Sequence, residues 1–384
     1  MHDVIIAGAG PVGGTLALAI ADADLDVLAL DARSAGSAPR GDRSLALSHG
    51  ARLIFERLGV WCRLAATRDA VTPITAIDIS QAGGFGVTRL NAHEQRIPAL
   101  GYVVSYVALQ NAIDAELART RTSILFDATV TSVGGTPAYA AVDLRDRPDD
   151  VLLARLAVVA DGTGTTVKGI EREVRAYGQV ALIAKVWTDA PHEGIAYERF
   201  TADGPMALLP QRDHYGLVWT MQPHEAVRAL AWSDDEFITR LSHHFGTRVM
   251  GFTRVADRKT FPLSLEYARP STTARTVLIG NAAQALHPIA GQGFNLGLRD
   301  AFELGDAINH TGQDALGRPE MISTYAASRR VDRLAGIAFT HGLTQIFTAE
   351  SRLVRWPRGL ALTMLDAVPP MKKAFTRRML FGLS

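Results

Sequence analysis

Three short stretches carry residue types suited to holding a phosphorylated cofactor. The first is Gly8-Ala9-Gly10-Pro11-Val12-Gly13, with Asp31 standing 23 residues after Gly8. In such a pattern the first glycine makes a tight turn, the second lets backbone approach a pyrophosphate and the third lets a helix pack on a strand. An acid ending the next strand can then bind ribose hydroxyls. Together these positions indicate a dinucleotide, without separating FAD from NAD. The second stretch is Asp161-Gly162, which closes the apolar run 157–160. The third begins at Gly280-Asn281 and reads GNAAQALHPIAGQGFNLGLRD, where His287-Pro288 precedes a Gly291-Gln292-Gly293 helix start. Asp-Gly is a common turn and Gly-Gln-Gly loosens any loop, so neither is specific alone.

The elements that must position these residues are legible from the hydrophobic pattern. A β-branched run at 3–7, a helical pattern after Gly13 and a second apolar run ending at Asp31 make a βαβ unit. Residues 48–60 read as an amphipathic helix ending at Gly59, and 107–120 as a helix with Leu109, Ile113 and Leu117 on one face. The run at 157–160 suits a buried parallel strand, whereas 178–221 and 253–265 alternate apolar and polar residues as an antiparallel sheet does. Thr165 and Thr166 read as helix-start residues beside the Asp161-Gly162 turn. The expected fold class is α/β, a discontinuous Rossmann-like domain with an inserted, mainly antiparallel sheet domain and a helical C-terminus. Its expected boundaries are 1–70, 98–172 and 266–340 for the cofactor domain, 71–97 and 173–265 for the sheet domain, and 341–384 for the C-terminal segment.

Composition narrows the class. The chain has 384 residues, 47% of them hydrophobic, enough to bury a sizeable core. Its 40 basic and 39 acidic residues balance, which argues against nucleic acid as a partner. Cys62 is the only cysteine, so no internal disulfide or Cys-x-x-Cys motif exists; this fits a reducing, cytoplasmic setting. The apolar N-terminus lacks the basic flank of a signal peptide, and no run reaches the roughly 18 apolar residues that span a bilayer. Adjacent His243 and His244 diverge on a helix, so no metal site is expected there. Trp187, Trp219 and Trp232 read as core or sheet-lining residues rather than base-stacking platforms.

Taken in order, the N-terminal glycine motif, the mid-chain Asp161-Gly162 and the Gly280 segment resemble the FAD-dependent aromatic hydroxylases, the class A flavoprotein monooxygenases. The likeness narrows to their ubiquinone-biosynthesis branch. Gly41-Asp42-Arg43-Ser44-Leu45-Ala46-Leu47 resembles its Asp-x-Arg-Ala-x-Ala-Leu segment. The stretches 192–210, 280–297 and 325–333 are similar to the 2-polyprenyl-6-methoxyphenol hydroxylases, which oxidise C1 of the ring. Most of the class has Gly-Asp where this chain has Gly280-Asn281; the 6-methoxyphenol branch shares the asparagine, whose carbonyl can still accept a ribityl hydroxyl.

The resemblance implies non-covalent FAD held by Gly8, Gly10, Gly13, Asp31, Arg43, Gln110, Asp161, Gly162, Gly280, Asn281, Pro288, Gly291, Gly293, Phe294 and Asn295. It implies NADPH or NADH as reductant, O2 as oxidant and a flavin C4a-hydroperoxide that delivers oxygen to a polyprenyl phenol. Pro288 to Asn295 would wrap the flavin ring, with the helix start facing its reduced, negatively charged edge. His287 stands where a base could deprotonate the phenol, or where a side chain merely packs the turn. Other readings stay open: hydroxylation at C5 or C6, a flavin-dependent reductase on the same scaffold, or a flavin-bearing subunit of a quinone-biosynthesis complex. The C-terminal 33 residues carry seven Lys/Arg and one acid, Asp366, with Trp356, Phe375 and Phe381 interleaved. That suits a peripheral helix on the inner face of an anionic membrane, a packed helix with a solvated basic face, or a partner-docking surface.

Overall fold

Val4 to Ala7 are buried because the strand His2–Ala7 lies inside a parallel sheet. It pairs in parallel with Val27–Leu30 on one side and Arg147–Val159 on the other, and Thr276–Leu278 adds in parallel to the far side of the latter. Where they are covered on both faces, at 4–7, Val27–Leu30, 156–159 and Thr276–Leu278, these strands are mostly apolar rather than alternating. The helix Pro11–Ala19 makes the crossover, and Val130–Gly135 and Ala140–Leu144 extend the sheet in antiparallel fashion. The computed structural model describes every residue except 38–42, 163, 202, 250, 287–290, 349–351 and 383–384.

A second sheet is built around two 18-residue strands, Glu171–Thr188 and Phe252–Arg269, paired antiparallel. It continues through His214–Met221, Gly204–Gln211 and Ile195–Thr201 to Ala76–Gln81 and Val87–Asn91. Alternation gives the sheet two different faces. Tyr215, Leu217 and Trp219 point to one, where helices Pro223–Ala231 and Asp234–Phe245 cover them with Phe237 and Leu241. Trp219 is core, as expected; Trp187 instead lies under the Arg254 guanidinium, 3.6 Å from its ring centre. A small third sheet, Ser44–Ser48, Gly101–Ser105 and Val71–Ile74, lies against the other face, where Ile74, Val103, Ala196 and Leu209 share an apolar cluster.

Two local expectations change. The helix after Ser48 runs His49–Arg57, capped by the Ser48 hydroxyl on the Ala51 amide. Gly59, at φ +76°, opens a further helix, Val60–Ala66, instead of ending the region. Thr165 and Thr166 start no helix: Thr166–Val167 is a short strand beside Val130–Gly135, and the Thr165 hydroxyl donates to Asp161. The C-terminal helices Arg352–Ala367 and Pro369–Phe381 pack onto the second sheet. Leu362 and Leu380 are buried against Ile79, Leu90 and Phe200, and Lys372 pairs with Glu94 and Asp366. Among the described residues no helix is long and apolar enough to cross a membrane.

Beneath the Gly280 turn lies a buried charge cluster. Arg329, 2% exposed, donates to Asp300, Glu303 and Asp332, and Arg299 also donates to Asp332. Burial alone would raise the Asp332 carboxyl, but the two arginines hold it below its ordinary value. The other oxygen of Asp300 accepts from Gln284 at 2.6 Å and from the Gly280 amide at 3.4 Å. The cluster thereby ties the helix Gln292–Asn309 and the helix Pro319–Thr348 to the Gly280 turn that precedes them. Removing one partner of such a set strands the rest without counter-charge. Arg329→Met should therefore lose about 3–5 kcal/mol in equilibrium urea unfolding; a loss under about 1 kcal/mol, the level of a surface pair, would show that the cluster does not anchor the fold.

Candidate active site

The three glycine-bearing turns, far apart in sequence, meet at the start of the first helix. Gly8, at φ +101°, faces the Asp161 backbone so closely that an added Cβ would lie 2.7 Å away, and a Cβ on Gly13 would lie 1.9 Å from the Gly8 carbonyl oxygen. Gly280 rests on Val12, and Gly297 of the long helix packs against Gly280. Gly10 differs: a Cβ there would meet nothing within 4 Å, and its φ of −64° suits any residue. The first and third glycines thus serve packing, while the second borders open space at a helix N-terminus whose amides face outward.

Around this opening the expected side chains divide into free and occupied ones. Asn281 is exposed. Gln110, fully buried, donates to the Ala9 carbonyl at 3.0 Å and to Asp114 at 2.7 Å, leaving its own carbonyl oxygen unpartnered. Arg43 is exposed, with its guanidinium 4.6 Å from the Tyr106 ring centre. Asp31, by contrast, already accepts from the Arg33 amide at 2.8 Å and side chain at 2.9 Å, and Arg33 is shared with Asp114. The Asp161 carboxyl is raised by burial, offset in part by the Thr165 hydroxyl and by Arg172. Gly162 follows it at φ +94° with open space around its α-carbon.

The helix Gln292–Asn309 begins at Gly291, where a φ of +60° and the Ala46 side chain, 3.0 Å from where a Cβ would stand, leave little room for anything larger. Asn295 is a clip. It accepts from the Ser48 amide at 2.8 Å and donates to the Ala46 and Gly291 carbonyls at 3.0 and 2.8 Å. Its side chain is consumed in holding the strand Ser44–Ser48 to the helix start, so only its backbone is left for a ligand. Phe294 packs on the core, and Gly293 has Leu286 as its nearest neighbour. Gly41, Asp42, His287 and Pro288 lie outside the described residues.

Residues 1–335 match the FAD binding domain family. The chain belongs to the FAD-binding monooxygenase family. It is 31% identical over 386 residues to the ubiquinone hydroxylase UbiL of Rhodospirillum rubrum, covering 98% of this chain and 88% of that protein. Identity to the 3-demethoxyubiquinol 3-hydroxylase of Escherichia coli is 27% over 315 residues, 80% of this chain and 79% of that one. In fold it is similar to the p-nitrophenol 4-monooxygenase PnpA of Pseudomonas putida, with a TM-score of 0.78 over 100% of this chain and 99% of that structure at 17% identity. The flavoprotein monooxygenase class and the α/β aromatic hydroxylase fold therefore hold. The site is compatible with FAD: an open glycine at a helix N-terminus, the unpartnered Gln110 oxygen and an accessible Asn281 all offer contacts that the protein itself does not use.

Three side chains of this region escape the motifs. Arg33 occupies Asp31, a pairing readable only as Asp-x-Arg. Arg172 donates to the Ala282 carbonyl at 3.0 Å and keeps a second buried nitrogen unpartnered, bridging the strand Glu171–Thr188 to the Gly280 turn. Glu198 sits mid-strand on the face turned toward the strand Ser44–Ser48, where burial pushes its carboxyl up to about 8. Only the alternation of 195–201 hinted at it.

Two substitutions separate packing from binding. Gly8→Ala should destabilise the protein by about 1–2 kcal/mol from backbone strain alone, and by more through the clash with Asp161. Gly10→Glu should leave the unfolding midpoint near wild type yet weaken FAD binding about tenfold or more, about 1.4 kcal/mol, by placing a like charge where phosphate would approach. Fluorescence titration with FAD beside thermal unfolding checks both; equal FAD affinity in Gly10→Glu would move the cofactor elsewhere.

Proposed function

We propose that this enzyme hydroxylates the aromatic ring of a polyprenyl phenol in ubiquinone biosynthesis, with C1 of 2-polyprenyl-6-methoxyphenol as the target position. The carrying observation is the convergence of the Gly8, Asp161 and Gly280 turns on the open side of Gly10, in a chain similar along nearly its whole length to a ubiquinone hydroxylase. The C1 position is supported by the likeness at 192–210, 280–297 and 325–333. In this reading, Gly10 and the first-helix amides receive the pyrophosphate where Gly8 and Gly13 let the helix pack close, the Arg33-held Asp31 receives the ribose, and Arg43, Gln110, Asp161, Gly162 and Asn281 line the rest of the cofactor's length. Domain limits of 1–70, 98–172 and 266–340 for the cofactor and 71–97 with 173–265 for the substrate accompany it.

When bound, FAD supplies the redox chemistry, with NADPH or NADH as electron source and O2 as the oxygen source. The chain's own residues bind and orient. The first-turn amides of Gln292–Asn309 favour negative charge near Gly291 and Gly293 by about 1 kcal/mol, and the Asn295 clip fixes that helix start against Ser44–Ser48. Ile74, Val103, Ala196 and Leu209 keep water from the face opposite, where an oily substrate would lie. Leu360, Met364 and Met371, exposed on the C-terminal helices, support contact with a lipid surface or a quinone-biosynthesis partner.

Cells lacking the gene should accumulate 2-polyprenyl-6-methoxyphenol, and restoring the gene should remove it, as read by mass spectrometry of quinone intermediates. Accumulation of a polyprenylphenol or of a demethoxyquinone would move the reaction to another ring position. Unchanged ubiquinone would exclude this pathway.

A further inference from the structure

The helices Pro223–Ala231 and Asp234–Phe245 cover the face of the second sheet that looks away from the strand Ser44–Ser48, and they do not close it completely. Between them and the strand His214–Met221 a cavity of about 420 Å³ remains. Its floor is Trp219, buried on the strand, and one wall is the half-buried Trp232, which joins the two helices. Glu225 and Arg228 reach it from Pro223–Ala231, His244 from Asp234–Phe245, and Asp203 from the turn before the strand Gly204–Gln211. The volume lies within the roughly 300–1,000 Å³ of small-molecule sites.

The polar groups lining this cavity are largely unspent. Trp219 is only 4% exposed, and a buried indole N–H ordinarily finds a hydrogen-bond partner. Among the described residues neither Trp219 nor Trp232 donates its N–H to a protein atom. The His244 imidazole meets the Trp219 ring edge-on at 5.0 Å, also without a hydrogen bond among the described residues, and burial holds it below the ordinary histidine value. The side chains of Asp203, Glu225 and Arg228 likewise form no hydrogen bond or ion pair among the described residues. Arg240 is spent by contrast: it lies 4.5 Å from the Trp232 ring centre and pairs with Glu236 at 2.9 Å.

An aromatic floor, one free guanidinium and two free carboxylates together select among ligands. A flat ring gains contact with the indoles, the guanidinium calls for an anion, and the carboxylates call for hydroxyl or amine donors on the same molecule. A simple aromatic acid would leave those carboxylates facing its own charge, whereas a purine carrying a ribose phosphate satisfies all three. We propose that this cavity binds a purine nucleotide, free or as one end of a dinucleotide, at a site apart from the opening beside Gly10. The base lies against Trp219 and Trp232, where the indole N–H groups and His244 meet its ring nitrogens. The phosphate pairs with Arg228, and the Asp203 and Glu225 carboxylates accept from the ribose hydroxyls.

The test is calorimetric titration of the full-length, FAD-loaded enzyme, whose cofactor site is already filled, with AMP and separately with NADP⁺. AMP should bind, and Arg228→Glu and Trp232→Leu should each weaken it about tenfold or more by reversing a paired charge or removing the stacking ring. Arg68→Glu, the same charge change at a side chain 95% exposed outside the cavity, should leave AMP affinity unchanged. Because the exposed Arg228 bonds to nothing in the described fold, Arg228→Glu should match wild type in FAD content, thermal unfolding and flavin reduction by NADPH. NADP⁺ that competes with AMP and is weakened alike by Arg228→Glu would assign the cavity to a dinucleotide end; AMP binding without that competition would assign it to the free nucleotide. Three results would overturn the site: no AMP binding at millimolar concentration, AMP affinity unchanged in Arg228→Glu, or inorganic phosphate or adenosine binding as tightly as AMP.

Discussion

At Gly13 a Cβ would lie 1.9 Å from the Gly8 carbonyl oxygen, and at Gly8 one would lie 2.7 Å from the backbone of Asp161. These contacts set how near the first helix can come to the parallel sheet, and hence where its N-terminal amides point. The sheet order follows the same requirement: His2–Ala7 and Arg147–Val159 must be neighbours for the Gly8 and Asp161 turns to touch at their carboxyl ends. Ligand sites of open parallel sheets lie outside those ends. The opening beside Gly10 is therefore a product of backbone packing, and side chains only trim it.

A second layer of constraint fixes the Gly280 segment and the helix after it. Asp300 grips Gly280 and Gln284 from below, Arg329 neutralises Asp300, and Asn295 pins the helix start to the strand Ser44–Ser48. Asp300, Arg329 and Asn295 are buried and hydrogen-bonded, so the segment is held by directional bonds as well as by apolar area. The same strand touches the substrate-side sheet through Ser44 and Gln211. The cofactor side and the substrate side are thus joined by a short chain of hydrogen bonds running Asp300, Gly280 turn, helix, Asn295, Ser48 to Ser44 and Gln211.

Much of this was legible in sequence, for a physical reason. Glycine positions that demand positive φ or close approach leave a spacing signature, and strands buried on both faces leave unbroken apolar runs such as 157–160. Antiparallel strands covered on one face announced themselves by alternation. What stayed hidden were pairings across sequence distance. Nothing local says that Arg33 is shared with Asp114, that Asn295 spends its side chain on Ser48 and Ala46, or that Asp300 and Arg329 neutralise each other 29 residues apart. Thr165 looked like a helix cap because its hydroxyl seeks a nearby partner; it found Asp161 and left the backbone extended. Glu198 was hidden by its own strand, since one acid among alternating residues looks solvated until the face it shares with Ala196 and Phe200 is known.

The most direct test of the account is the fate of oxygen. The purified enzyme, loaded with FAD and given NADPH, a prenylated methoxyphenol and isotopically labelled O2, should place one labelled atom on the ring for each NADPH consumed in coupled turnover. Mass spectrometry of the product reads this without reference to any pathway. NADPH oxidation with no label in the ring would contradict the hydroxylase account and favour a reductase on this scaffold, and a protein that binds no FAD would contradict the reading of the Gly10 opening itself.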